Sequence, residues 1–362
     1  MTSVSAPPSL SRSVPDLSRR SVALLAGGRS SERNVSLDTA RCVADALRGE
    51  GNGRHRALLP RALRVVELET DGRWTVEGRS LTPGDALRAL EDVDVFFSCL
   101  HGGEGEDGTI QGFLAANSKT FTGSGVRASA LCIDKQATRT LAQSAGVAVA
   151  PGVCFSSREW RAENERWLAR VRAFGKSGWV VKPRCGGSSV STFVLERESE
   201  LAPSIEDVLA TGDDVLAEAR VRGIELSCGV LGNRGEDLVA LPPVEIRTAA
   251  GRFFDYQQKY SNDGAREICP PEGVSSASVE RVRERALAVH RRAGCDGYSR
   301  IDFIVPLRAG VESEPVMLEV NTLPGLTARS LLPQEAAAVG MDYTWLCLWI
   351  LDAALRRQGA PA

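Results

Sequence analysis

Two short segments in the last third of the chain, Arg300-Ile-Asp-Phe303 and Leu318-Glu-Val-Asn321, constrain its fold more than any other feature. Each alternates polar with apolar residues. Side chains of an extended strand point to opposite faces in turn, so Arg300 and Asp302 share one face. Glu319 and Asn321 share a face in the same way, while Ile301, Phe303, Leu318 and Val320 point into a core. An unpaired carboxylate on a buried sheet is costly, and a hard dication with oxygen ligands removes that cost. Two carboxylates and a carboxamide, completed by phosphate oxygens and water, describe a Mg²⁺ site at Asp302, Glu319 and Asn321. The competing reading is a pair of ordinary strands with a solvated polar face. It weakens because both strands carry acids and the second runs directly into Asn321-Thr-Leu-Pro-Gly325.

The rest of the chain supplies the frame. SVALLAGG, residues 21–28, is a buried-strand pattern ending in glycines, and a helical stretch follows over residues 37–47. Strand, tight loop and helix begin an α/β domain. A second strand, residues 93–100, leads into HGGEGEDGTIQG, whose polar and glycine content marks a functional loop. A further helix starts near Ser129 and is punctuated by Gly146 and Pro151. The charged segment 157–172 reads as a helix or a surface insertion. Strand-rich sequence follows (WVVKP, STFVLE, DVLAEARV, ELSCGVLG). Residues 278–293 form an amphipathic helix, with Val279, Val282, Ala286 and Val289 on one face and Gly294 as its stop. Three lobes are expected, at 21–123, 124–217 and 218–362, and neither half repeats the other.

A phosphate ligand is suggested by KPRCGGSS, residues 182–189. Gly186-Gly187 lets the backbone approach a ligand, and successive N–H groups there can form an anion nest. Lys182 leaves a strand end as a point charge suited to phosphate oxygens, and Ser188 and Ser189 add hydroxyl donors. On the loop alone, a hairpin turn with an exposed lysine is an equal reading. Neither familiar phosphate motif is present. Phe174-Gly-Lys-Ser177 would need its first glycine at position 170, which is Arg170, and GGRSS is not GxGxxG.

Composition narrows the classes. Lys and Arg total 44 against 46 Asp and Glu, which argues against a nucleic-acid binder that covers backbone phosphates. Nine cysteines without a CxxC pair read as reduced thiols of a cytoplasmic protein. No apolar run approaches a membrane span. Residues 1–20, rich in Ser, Pro and Arg, read as a disordered lead-in, with a transit peptide as the minor alternative.

Eight stretches in order carry a family resemblance: GGRSSERNVS, LHGGEGEDGTIQG, FTGSGVRASALCIDK, VVKPRCGGSSV, AEARVRGIELS, FFDYQQKY, RIDF and LEVNTLPGLTARSLLP. From about residue 22 to 345 the chain resembles the D-alanine–D-alanine ligases of the ATP-grasp superfamily. The resemblance implies an α/β plus α+β fold: an N-terminal parallel-sheet lobe and two lobes that clamp ATP under the glycine-serine loop. It implies that Lys135 and Lys182 hold the α- and β-phosphates, with Ser188 and Ser189 in the loop. Glu218 and Glu225 match positions near adenine and ribose, and Lys259 matches the residue that neutralises the transferred phosphoryl. Asp302, Glu319 and Asn321 match the ligands of two Mg²⁺ ions, with Mn²⁺ as an alternative.

On the substrate side, Glu32 matches the partner of the first D-alanine's ammonium. Arg300 and the Gly325 N–H match the oxyanion donors, and Ser330 and Leu331 match the holders of the second substrate's carboxylate. His101 and Ser188 lie near the substrates, with a structural role as the alternative for His101. Tyr260 sits on a covering loop, and its pairing with Ser188 resembles the dipeptide-forming ligases. The implied reaction joins two D-alanines through an acyl phosphate to supply a peptidoglycan precursor, in a cytoplasmic homodimer without nucleic-acid or membrane partners. Other ATP-grasp acid ligases and a non-catalytic nucleotide-binding module are the alternatives. The family pattern is broken at Gly186, Ser191, Ala219, Phe254 and 261–270, which leaves the second substrate the least constrained element.

Overall fold

The computed structural model describes residues 13–50, 53–186, 191–247 and 266–358. Its first layer is a five-stranded sheet in which Ser21–Gly27 lies one strand in from an edge. All seven residues of that strand are buried, as an apolar run flanked by neighbours on both sides must be. It pairs in parallel with Ala62–Leu68 and with Val95–Ser98. The short outer strands Trp74–Val76 and Arg79–Leu81 are antiparallel, so the expected parallel sheet has an antiparallel edge. Helix Arg33–Arg48 starts four residues earlier than the apolar periodicity indicates and ends where Gly49 turns left-handed at φ 77°.

A second, four-stranded antiparallel sheet is made by Gly152–Phe155, Val215–Ala219, Trp179–Pro183 and Phe193–Leu195. Segment Ser157–Arg172 is one of the helices that cover it, opened by a reciprocal capping box between Ser156 and Glu159. Trp160, Trp167 and Val171 bury that helix against Phe155. The sheet runs on past the expected lobe boundary at residue 217, and the next strand begins at Gly223.

The third sheet has eight strands, with Gly223–Leu231, Tyr298–Arg308 and Val316–Asn321 side by side in its middle. Helix Ser276–Ala293 packs on one face, where Val282, Ala286 and Val289 meet Leu226, Ile301 and Phe303. Val279 is only half-buried; Ser278 and His290 complete the buried stripe. Gly294 closes the helix at φ 72°, as expected.

Three differences from the sequence reading have physical causes. Between Asp302 and Phe303 the register with the neighbouring strand slips by one, so Phe303 faces Met317. Met317 therefore occupies the core in place of Leu318. The helix expected near Ser129 is two helices, Val126–Ile133 and Lys135–Ser144, divided at Asp134, whose carboxylate caps the second. The lead-in is ordered from residue 13 within the described chain: Leu17 is buried and Val14 packs beside it.

The two ends of the chain share a core. Helix Tyr343–Gln358 packs against helix Arg33–Arg48, and Leu348, Leu351 and Ala354 join Leu24, Val43 and Phe97. No single described helix is long and apolar enough to cross a membrane.

Candidate active site

Strand register assembles the polar face of the large sheet. Arg300 lies opposite Asn321, and Asp302 opposite Glu319. On the other side, Asp302 faces Ser227 and Arg300 faces Gly229. Opposite residues in an antiparallel pair project to the same side, so these groups form one polar patch facing away from the helix-covered core. Asp302 is the hub. Its Oδ1 accepts from Arg300 Nε at 3.0 Å and Ser227 Oγ at 2.5 Å. Its Oδ2 accepts from Arg300 Nη2 at 2.8 Å and Asn321 Nδ2 at 3.1 Å. Burial opposes the charge on Arg300, but Asp302 and Glu319 outweigh it and hold the guanidinium above its usual range. Behind it the carboxyl of Glu335, fully buried, is pushed well above the carboxylate range by that burial.

This patch is one wall of a cleft of ≈ 380 Å³. Glu32, His101, Arg300, Glu319, Asn321, Gly325, Ser330 and Leu331 all line it, so residues from four separated stretches meet there as expected. Glu32 enters as the N-cap of helix Arg33–Arg48. A Cβ at Gly102, where φ is 65°, would stand 2.5 Å from Glu32 Oε2, so the HGG turn must be glycine to seat this carboxylate. His101 is buried with Nε2 3.0 Å from Thr39 Oγ1 and Nδ1 3.9 Å from Glu106. Gly325 similarly leaves room for Ser330, whose Oγ would lie 2.7 Å from an added Cβ. Ser330 is the N-cap of helix Leu331–Ala338, and its hydroxyl accepts the Thr327 N–H at 3.0 Å.

The basic groups gather beside this wall. Lys182 Nζ meets Glu218 at 2.6 Å, and both are buried. Lys135 opens helix Lys135–Ser144, its N–H bonds to Arg184 O at 3.0 Å, and its Nζ donates to Gly186 O. Burial, the largest influence, and neighbouring Lys182 push the Lys135 ammonium below the usual lysine range, while Glu319 pulls it back. Two lysines thus converge where the glycine-serine loop begins, and one senses a proposed metal ligand. The carboxylate of Glu218 is taken up by Lys182 and Arg139, so it acts here as their internal counter-ion. Glu225 lies on the polar face two residues from Ser227. Ser188, Ser189, Lys259 and Tyr260 lie outside the described residues, as do Phe254 and residues 261–265.

The donor set suits Mg²⁺: two carboxylates and a carboxamide on adjacent strands, all hard oxygen ligands. Glu319 has no hydrogen-bond partner among the described residues, which leaves its oxygens for a ligand in the cleft.

Comparison with known proteins follows the same order along the chain. The family model described as D-ala D-ala ligase N-terminus matches residues 21–124, and that of the D-ala D-ala ligase C-terminus matches residues 141–352. A D-alanine–D-alanine ligase of Anaeromyxobacter sp. (strain K) is 41% identical over 92% of this chain and 96% of its own length. One from Leptospira interrogans is 33% identical over 93% of this chain and 99% of its own.

The chain belongs to the D-alanine–D-alanine ligase family.

Membership makes it an ATP-dependent ligase with the ATP-grasp fold. A solved ligase of the family from Bacillus anthracis, complexed with ATP, superposes with a TM-score of 0.71 at 26% identity, covering 94% of this chain and 99% of that one. A D-Ala:D-Ser ligase of Enterococcus faecalis gives 0.75 at 26% identity, covering 93% and 99%.

Within this family member, several residues escaped the sequence reading. Arg139 follows Lys135 by one helical turn and so shares its face, a spacing that was available. Ser227 alternates with Glu225 in GIELS and was equally legible. Glu267, which also lines the cleft, sits in a short edge strand with no periodic signal.

Proposed function

We propose that the cleft joins two D-alanines with ATP in two steps, each set up by named groups. In the first, a carboxylate oxygen of one D-alanine attacks the γ-phosphorus, the bond to the β-phosphate oxygen breaks, and ADP leaves. Glu32 pairs with that D-alanine's ammonium and so aims its carboxylate toward Arg300. Lys135 and Lys182 hold the nucleotide phosphates; phosphoryl transfer depends on this positioning and charge cancellation more than on a protein nucleophile. Asp302, Glu319 and Asn321 would hold Mg²⁺, which supplies charge neutralisation on the phosphate oxygens.

In the second step the amine of the other D-alanine, having lost a proton, attacks the acyl carbon and phosphate departs. Arg300 and the Gly325 N–H stabilise the oxyanion, a contribution commonly of about 3–4 kcal/mol per donor. Ser330 and the start of helix Leu331–Ala338 take the acceptor's carboxylate, since unpaired N–H groups at a helix N-terminus suit an anion. Peptidoglycan precursor supply by a cytoplasmic homodimer belongs to the same reading, supported by the family alone.

The observation that carries the proposal is the meeting of Glu32, Arg300, Gly325 and Ser330 in one cleft beside Glu319. Incubation with ATP, Mg²⁺ and D-alanine, followed by mass spectrometry, is expected to yield D-alanyl-D-alanine, ADP and phosphate. Phosphate release only with a different acid would overturn the substrate assignment.

A further inference from the structure

We propose that Glu335 is a positioning residue for Arg300, taking over one guanidinium N–H when a cation draws on Asp302. The inference rests on the metal-dependent ligase reading of the cleft and adds a residue to it. Glu335 lies in helix Leu331–Ala338, which packs on strand Gly223–Leu231. Its side chain is fully buried, and neither oxygen has a hydrogen bond of good geometry to a described residue. Buried polar atoms are nearly always satisfied, so an orphaned carboxyl calls for an explanation.

Gly229 shows where this carboxyl points. A Cβ at Gly229 would collide with Glu335 Oε2 and stand 2.5 Å from Leu332 Cδ1. The carboxyl thus fills the space that a side chain at position 229 would occupy. Gly229 lies opposite Arg300 in the strand pairing, so that space adjoins the Arg300 side chain on the same sheet face. The two groups sense each other. Burial opposes the charge on Arg300, and Glu335 joins Asp302 in restoring it. Burial dominates at Glu335, and Arg300 opposes it together with the backbone at Gly229 and Val244.

Asp302 explains why Arg300 needs a second partner. An ionised carboxylate has about four lone-pair sites. Asp302 already receives two donors from Arg300, one from Ser227 and one from Asn321. A cation on Asp302 must therefore displace a donor. Oδ2, which already meets Asn321, is the oxygen that a cation shared with Asn321 would draw on. Arg300 Nη2 is the donor that yields, since a guanidinium and a dication repel each other at one oxygen. The Arg300 side chain is 12% exposed, so the released N–H has little access to water. The Glu335 carboxyl offers it an acceptor oxygen whether charged or protonated. Nε stays on Oδ1, and the remaining guanidinium N–H groups are left for the oxyanion.

The full chain and its Glu335→Leu and Glu335→Gln variants can be titrated with Mn²⁺ in the presence of ADP. Free Mn²⁺ is read by electron paramagnetic resonance, without turnover. Glu335→Leu should bind Mn²⁺ about 10- to 100-fold more weakly, because the displaced N–H is left without a partner. Glu335→Gln keeps an acceptor oxygen and should lose less than about 10-fold. Metal-free Glu335→Leu should melt at or above the wild-type temperature, since it removes a buried carboxyl that lacks a good partner. A residue that only braces the helix predicts the opposite pattern, a lower melting temperature with unchanged Mn²⁺ affinity. Affinity within about 2-fold of wild type in both variants overturns the inference. A crystal structure with ADP and Mg²⁺ in which Arg300 Nη2 still lies on Oδ2 of a metal-bound Asp302 overturns it too. Failure of wild type to bind Mn²⁺, or binding unaffected by Glu319→Ala, overturns the underlying metal assignment instead.

Discussion

Arg300 meets both oxygens of Asp302 through two different nitrogens, Nε and Nη2, and this forked geometry needs a planar guanidinium. Lysine would keep the charge and lose the fork. Arg300→Lys is therefore expected to lower kcat by about 10²- to 10³-fold with a smaller change in the KM for ATP, measured by steady-state phosphate release. Replacing the proposed metal ligands should also abolish turnover, but the two carboxylates differ in what else they hold. Asp302→Ala leaves Arg300 buried without its partner, a defect that typically costs about 3–5 kcal/mol of stability. Glu319 carries no hydrogen bond to a described residue, so Glu319→Ala should lose activity while keeping the wild-type melting temperature. Activity retained in Glu319→Ala would remove the metal assignment. At this scale the sequence was most readable where chemistry and alternation coincide, as at Asp302 and Glu319. It was least readable for Glu218, whose carboxylate belongs to an ion cluster with Arg139 that only tertiary structure brings together.

Local rules located most elements, and the exceptions trace to interactions between strands. Helix Ser157–Arg172 has its start written in Ser156 and Glu159, a reciprocal cap visible as SxxE. Ser156→Ala should cost about 1 kcal/mol, seen as a lower urea midpoint, with little effect on KM for either substrate. The slip that exchanges Leu318 for Met317 in the core could not be read from alternation, because a bulge depends on the partner strand. Ser191 is a second case. Its φ of 57° lies in the left-handed region that favours glycine, which nothing in the local pattern announces. The Asp134 break was obscured because both flanking helices are short and continuous in periodicity.

Across the whole molecule, the sharing of one core by the first helix and the last was not legible, since nothing local encodes a contact separated by some three hundred residues of chain. Burial inside the large lobe also sets a pH response. His290 is buried with Nδ1 2.7 Å from Ser299 Oγ, and burial lowers its pKa to about 4 despite the opposing pull of Asp296. The unfolded chain binds a proton near pH 6.5, whereas the folded one resists until about pH 4. The neutral imidazole therefore contributes stability above pH 6.5 that is lost as pH falls toward 4, on the order of 3 kcal/mol. Urea unfolding at pH 7 and pH 4.5 should show this loss, and His290→Asn should reduce the difference between the two.

The central claim is that separated lysines and acids converge on a single nucleotide beside the substrate cleft. A crystal structure of the chain with ADP and Mg²⁺ tests it most directly. The account predicts the phosphates against Lys135 and Lys182, with the metal on Asp302, Glu319 and Asn321. Nucleotide bound elsewhere, or metal seated away from those three side chains, would contradict it.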